Sequence, residues 1–324
     1  MSSSASAAVT RPKLFEVRPK LVDRIGEPLF RGLAGLAGVV AVGLIIWIAV
    51  TVFNDASPAI SKFGLSFLTT QTWDPVHNVY GALAFIYGTA VSSLIAMLIA
   101  APTSVAIAIY LTELAPRFVR RPVAILVELL AAIPSVILGL WGIIVLGPFL
   151  NDHLEPFLNS FLGWIPLFAA PYSPYGMLNA ALILTIMALP IITSITREVF
   201  ATTPGELKEG AYALGSTRWE MIRMTVLPVA RPGMVGAVIL GLGRALGEAI
   251  AVTQVIGNAT QIKASLFQPA GTLAAQIASS YQSANPGLGV SSLMYLAAIL
   301  LVISLLANIG ARLIVRRFTV VGTR

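Results

Sequence analysis

The chain has 324 residues, of which 57% are hydrophobic and only 11% charged, with a net charge of +7 and a mean hydropathy of +0.86. Soluble domains carry roughly a quarter charged residues, so this composition belongs to an integral membrane protein with several spans of about 20 apolar residues each. Cysteine is absent and the only histidines are His77 and His153, which excludes a disulfide framework, a thiol nucleophile and a histidine-rich metal site; the basic excess is read by position rather than as a nucleic-acid footprint.

Residues 1–32 open on a Ser/Ala-rich stretch and then carry Arg11, Lys13, Arg18, Lys20, Arg24 and Arg31. Such a stretch has too little apolar surface to pack and reads as a disordered cytoplasmic tail. It lacks the compact basic, apolar and small-residue succession of a removable signal, so the first span is expected to stay as an anchor. Apolar runs follow near 33–53, 82–111, 123–150, 174–199, 233–257 and 290–314, each long enough to cross a hydrocarbon core of about 30 Å as a helix. The expectation is an all-α protein, a six-helix transmembrane domain over 33–317 with a short cytoplasmic tail at 318–324. Pro102 and Pro134 lie inside the second and third runs and are expected to bend those helices.

Basic residues gather on the cytoplasmic side of membrane proteins. Beyond the tail, the segment after span two has Arg117, Arg120 and Arg121, the segment after span four has Arg197, Lys208, Arg218, Arg223 and Arg231, and the C-terminus has Arg312, Arg316, Arg317 and Arg324. The alternate segments hold only Lys62 and Lys263, so both termini are cytoplasmic. External stretches 54–81 and 151–173 mix polar residues with Trp73, Tyr80, Trp164, Phe168 and Tyr172, as expected at a water interface. In 258–289, Leu273, Ile277 and Tyr281 recur at near-helical spacing and predict a short amphipathic helix, read first as a lid on the bundle.

Between spans four and five lies a polar cytoplasmic loop, 200–230. Thr203-Pro204-Gly205-Glu206 reads as a helix start, with a threonine cap, a proline in the first turn and a glutamate able to return a bond. Gly215 supplies the backbone for a tight turn. Ser216 or Thr217 then caps a second helix carrying Trp219, Met221, Ile222 and Met224, which Pro228 is expected to end. Spacing alone leaves two readings open: a docking surface, or a loop packed back on its own bundle.

Span five contains Arg244 and Glu248, four residues apart and able to pair on one helix face. Counted from Arg231, Arg244 lies about 20 Å along the helix, near mid-membrane. An intramembrane charge costs roughly 2.5–3.5 kcal/mol on insertion scales, which favours a functional role. The other reading is a structural ion pair, with Gly243 and Gly247 allowing close helix approach. Glu128 in the third run reads as an interfacial acid paired with a basic neighbour. Ser135, beside Pro134, is a candidate hydroxyl donor to an anion path, or else bonds its own helix. Gly241, Gly243 and Gly247 do not make a nucleotide loop, because no strand precedes them, and no P-loop sequence occurs. Neither histidine has a recognisable nucleophile setting, so no enzyme site is expected.

The identities of these residues add a resemblance. Glu209-Gly210-Ala211, three residues, Gly215, nine residues and Thr225-Val226-Leu227-Pro228 resemble the EAA loop of ABC importer permeases, with Gly210 in place of a small residue and Thr225 in place of the usual Ile. LGLGRALGEAIAV and AAIPSVILGLWG at 131–142 are similar to the phosphate-importing permeases of that family, Ala249 standing where Thr is common. The likeness implies a type I importer permease fold and assigns Glu209, Gly210, Ala211, Gly215, Leu227 and Pro228 to ATPase docking. It places Arg244 and Glu248 on the substrate path, to which Ser135 is the candidate hydroxyl donor read from its place beside Pro134. Expected partners are a second homologous permease, an ATPase dimer carrying ATP and Mg²⁺, an external phosphate-binding protein, and lipid; this chain itself needs no cofactor or metal. Two alternatives stay open: a permease for another oxyanion such as molybdate or sulfate, and an ion-driven secondary transporter.

Overall fold

The computed structural model describes the backbone of residues 21–319 and the side chains of 29–313. Among these residues the regular structure is helical apart from one antiparallel bridge between Asp74 and Val79, and six helices are long and apolar enough to cross a membrane. The chain divides into two units, Met1–Thr51 and Val52–Arg324. In the first, the leading part of helix α1 (Leu21–Phe63) presents exposed apolar side chains such as Leu36, Ile45 and Trp47. Because α1 starts at Leu21, residues 21–32 are helical where a disordered tail was expected, while 1–20 and 320–324 lie outside the described residues. The same helix runs to Phe63, into the stretch read as an external segment.

The second unit is built around α6 (Met177–Ala201), the most buried span. Its small and hydroxylated residues, Ala180, Ala181, Thr185 and Ala188, are buried, which lets neighbouring backbones approach closely without leaving voids. On it pack α2 (Leu83–Ile109), which continues into a π turn at Tyr110–Leu114, and α9 (Leu227–Gly247). The final span, α12 (Leu288–Thr319), packs on α9 and on the short helix α11 (Leu273–Ser280). Helix α11 is the one anticipated from Leu273 and Ile277; Tyr281 lies one residue beyond it.

The third run departs from expectation. Pro134 breaks the chain where a bend was predicted: α3 (Arg117–Ala132) ends, Ile133 and Pro134 are extended with ψ of 125° and 137°, and α4 (Ser135–Trp141) begins. The ring of a proline disfavours helical backbone in the residue before it, and here that preference prevails. The membrane span is therefore Ser135–Leu162, continuing from α4 through π turns to α5 (Glu155–Leu162), so 151–162 is helix where an external loop was expected. Helix α3 instead has a basic first half, no fully buried residue and an exposed apolar face with Phe118, Leu126 and Leu129. That is the pattern of a helix at the cytoplasmic interface.

Candidate functional site: a cytoplasmic elbow and a broken fifth span

The loop of 200–230 folds into an elbow. Its first helix, α7 (Gly205–Ala213), begins after Pro204 with no side-chain cap, and the Thr203 hydroxyl is buried without a partner. The anticipated threonine cap is thus not made, because the helix starts one residue later than expected and Pro204, which has no side-chain acceptor, takes the cap position. The other end of α7 matches expectation. Gly215 takes φ +85°, its N–H donates to the Tyr212 carbonyl at 2.9 Å, and the Ser216 N–H reaches back to Ala211 at 3.1 Å. This pair of bonds is the Schellman closure that needs a left-handed residue, for which glycine carries no side-chain penalty. Helix α8 (Arg218–Met221) opens with a capping box: the Glu220 N–H donates to Thr217 Oγ1 and the Thr217 N–H donates to Glu220 Oε2 at 2.8 Å.

Pro228 does not end this helix. A π turn at Ile222–Val226 joins α8 to α9, and Pro228 sits in the first turn of α9, directly after that change of hydrogen-bond register. Met221, Ile222 and Val226 are buried with Ala108, Phe200 and Ala230, and Ala211 and Leu227 pack against the same cluster. Of the six expected docking residues, Glu209, Gly210, Gly215 and Pro228 are exposed, whereas Ala211 and Leu227 hold the elbow to the bundle. The exposed apolar residues sequence reasoning did not assign are Leu207, Tyr212 and Leu214, the last 90% exposed, beside Trp219 and Met224, which were anticipated.

The fifth span is likewise broken. Helix α9 stops at Gly247, Glu248 is extended with ψ 118°, and α10 (Ile250–Val255) restarts the helix. Glu248 Oε1 accepts the Ala251 N–H at 3.2 Å, capping α10, and its Oε2 lies 3.3 Å from Arg244 Nη2. Pairing at the predicted spacing is therefore present, across a break where a continuous helix was expected. The partners are unequal: the Glu248 side chain is 6% exposed and Arg244 47%. The Arg244 side chain lines a cavity of about 210 Å³ whose other walls are apolar, from Leu130, Ala131 and Ile133 at the α3–α4 break and from Met187 and Ile191 of α6.

Gly243 and Gly247 face open space, so they do not bring helices together; Gly139 does so instead, where a Cβ would stand 2.9 Å from the Ala251 Cα. That contact seats α4 on α10. Ser135 opens α4, half-buried, with no bond from its hydroxyl to its own helix among the described residues. Glu128 lies on α3, before the span, and pairs with Arg197 of α6 at 2.8 Å. A second ion pair, Lys208 with Glu113 at 2.6 Å, was not foreseen. Its partners are far apart in sequence and carry no local signature.

Six spans, a capped cytoplasmic elbow and an arginine facing a cavity at a helix break are the parts of a membrane permease. The family described as the binding-protein-dependent transport system inner membrane component matches residues 104–320, and the chain belongs to it. It is 48% identical over 295 residues to the phosphate transport system permease protein PstC of Mesorhizobium japonicum, covering 90% of each chain. To the protein of the same name from Haemophilus influenzae it is 43% identical, covering 90% of this chain and 93% of that one. Among solved structures, a chain of a bacterial alginate ABC transporter in complex with alginate pentasaccharide-bound periplasmic protein aligns with a TM-score of 0.60 at 17% identity, covering 92% and 98% of the two chains. That likeness shows the fold. The chain is a multi-pass plasma-membrane transport permease subunit, of a family that works with ATPase and substrate-binding proteins.

Proposed function

We propose that this chain is one permease subunit of an ATP-driven importer of inorganic phosphate, working by alternating access. The observation that carries the reading is Arg244, the one charged side chain lining the cavity at the break of span five. Its relatives named as phosphate transport permeases, similar across 90% of the chain, support phosphate as the anion. A second homologous permease completes the bundle, an ATPase dimer holding ATP and Mg²⁺ docks on Glu209, Gly210, Gly215 and Pro228, and an external phosphate-binding protein delivers the cargo. The chain has no catalytic role of its own; hydrolysis belongs to the ATPase subunits.

The chemistry follows from the unequal pair. A guanidinium fork satisfies two oxygens of a tetrahedral oxyanion together, and the half-exposed Arg244 has donors to spare beside its single contact with Glu248. Glu248 is held by its bond to the Ala251 N–H, so it stays behind as a fixed negative charge when Arg244 turns to the anion. Repulsion between that carboxylate and the phosphate limits the dwell time, as conduction requires of a site that must also be left. Closure of the ATPases moves the elbow and opens the bundle outward; nucleotide release returns it. Ser135, at the start of α4 just past the cavity-lining Ile133, serves as a secondary donor.

The test is uptake of labelled phosphate by the reconstituted transporter. Arg244→Gln is expected to lower uptake by about tenfold to a hundredfold, the scale of losing a charged hydrogen bond of roughly 1.5–3 kcal/mol, while ATPase co-purification is unchanged. Normal uptake by that variant overturns the reading. Stronger competition by molybdate or sulfate than by unlabelled phosphate moves the assignment to another oxyanion.

A further inference from the structure

Of all the groups outside the Arg244 site, the buried ion pair between Lys208 and Glu113 has the least local reason to exist. The Glu113 side chain is 8% exposed and that of Lys208 22%, with 2.6 Å between Nζ and Oε1. Taking two charges this far out of water is poorly repaid in stability, and apolar residues of similar volume commonly serve a fold as well or better. The pair joins α7 to the π turn that ends α2, beside the apolar cluster against which Ala211 packs. Its distinctive property is that it links a loop facing the cytoplasm to one turn of span two.

That turn has a second attachment. Glu113 belongs to the π turn Tyr110–Leu114, and the carbonyl of Thr112, one residue away, accepts a hydrogen bond from Arg120 Nη2 at 2.8 Å. Arg120 lies in the first half of α3. At the other end of α3, Glu128 pairs with Arg197 of α6, and Leu130 and Ala131, with Ile133 just beyond, line the Arg244 cavity. A chain of polar contacts therefore runs from α7 through the π turn to α3, and α3 ends in the cavity. Helix α3 has no fully buried residue and is bounded by non-helical backbone at Pro116 and at Ile133, so it can tilt without dismantling a core.

We propose that the Lys208–Glu113 pair is the tie through which displacement of the elbow reaches the Arg244 cavity, with α3 as the lever and the Glu128–Arg197 pair as its fulcrum. Lys208 directly precedes Glu209 on α7, and its side chain is directed inward, so the helix that meets the ATPase on one face holds the lever on the other. Lys208 and Glu113 are positioning residues: they touch no substrate and act on where Ile133 stands relative to Arg244. The inference rests on the transport reading above.

The distinguishing measurement is phosphate taken up per ATP hydrolysed, in vesicles containing the full transporter with its ATPase subunits and binding protein. Replacing both partners, Lys208→Met with Glu113→Gln, removes both charges and leaves no buried charge unpaired, so assembly is expected to persist. In that variant ATP hydrolysis continues while uptake per ATP falls at least about fivefold, the lower end of a typical coupling factor between sites. Lys208→Glu alone, facing Glu113, is lower still; exchanging the two, Lys208→Glu with Glu113→Lys, restores the ratio, and Lys208→Arg keeps it. If the wild type imports phosphate with ATP and the doubly neutral variant has the same ratio, the tie is overturned while the transport reading stands. The tie is equally overturned if the exchanged pair is no better than Lys208→Glu alone.

Discussion

The elbow and the break in span five are both interruptions of helix closed by near-neighbour bonds, and they differ in what else the turn itself relies on. The elbow is closed by contacts between residues no more than five apart: the Gly215 turn, the Schellman bonds to Tyr212 and Ala211, and the Thr217–Glu220 box. The break at Glu248 has neither proline nor glycine at the extended residue; beside its own near-neighbour bonds, the Ala251 cap and the Arg244 pair, it rests on the seating of α10 on Gly139 of a distant helix. A docking surface that must keep one shape for a partner benefits from local bonds. A substrate site that must alternate is better held by a few contacts that can be exchanged.

Glu248 offers the largest test of that contrast, because it serves the break twice. Glu248→Gln keeps an oxygen to cap Ala251 and loses the charge opposite Arg244. It is expected to leave thermal stability near wild type while slowing uptake about tenfold, the scale of one charged hydrogen bond of roughly 1.5–3 kcal/mol. Glu248→Ala loses the cap as well, and its complex should melt earlier by the equivalent of about 1 kcal/mol. Equal melting of the two variants would show that the cap does not hold the break.

The same contrast explains what sequence reasoning reached. Six spans and their orientation follow from apolar run lengths and from where arginines lie, both one-dimensional quantities. The Gly215 turn and the Thr217 cap were legible because their bonds join near neighbours. The Arg244–Glu248 pair was legible by its spacing, but the break between its members was not, since tertiary contacts and a side-chain cap make it. Pro134 and Pro228 were read by one rule each, and the neighbouring backbone decided the outcome: Ile133 left the helix, whereas the π turn before Pro228 let the helix continue. Lys208 with Glu113 and Arg197 with Glu128 could not be read, because nothing local pairs residues so far apart in the chain.

A smaller effect is expected at the elbow. Thr217→Ala removes the acceptor for the Glu220 N–H and the hydroxyl donor to the Glu220 carboxylate, which keeps the backbone N–H of residue 217, at a cost of about 1 kcal/mol to α8. If the docking shape is preformed, this energy appears as a weaker hold on the ATPase, up to about fivefold in dissociation constant, with Arg244-dependent uptake recovered at high ATPase concentration. A loss of uptake that added ATPase does not recover would mean that the cap supports the substrate path and not the docking surface.

The smallest effect belongs to the external turn, another locally bonded element. Asp74 Oδ1 accepts from the N–H groups of Val76 and His77 at 2.9 and 3.3 Å, and Oδ2 meets His77 Nδ1 at 2.6 Å. The His77 side-chain bond, with the backbone bonds, holds the Asp74 carboxyl below its ordinary value of 3.8. A carboxyl depressed on folding contributes its stabilisation above the unfolded value and loses it as pH falls through the lower, folded value. The turn should thus stay closed across the whole mildly acidic range and loosen only below pH 3.8. Amide exchange at Val76 and His77 reads this directly, with Asp74→Ala removing protection at every pH. Loosening that begins well above 3.8 in the wild type would show that other groups, and not the Asp74 bonds, close the turn.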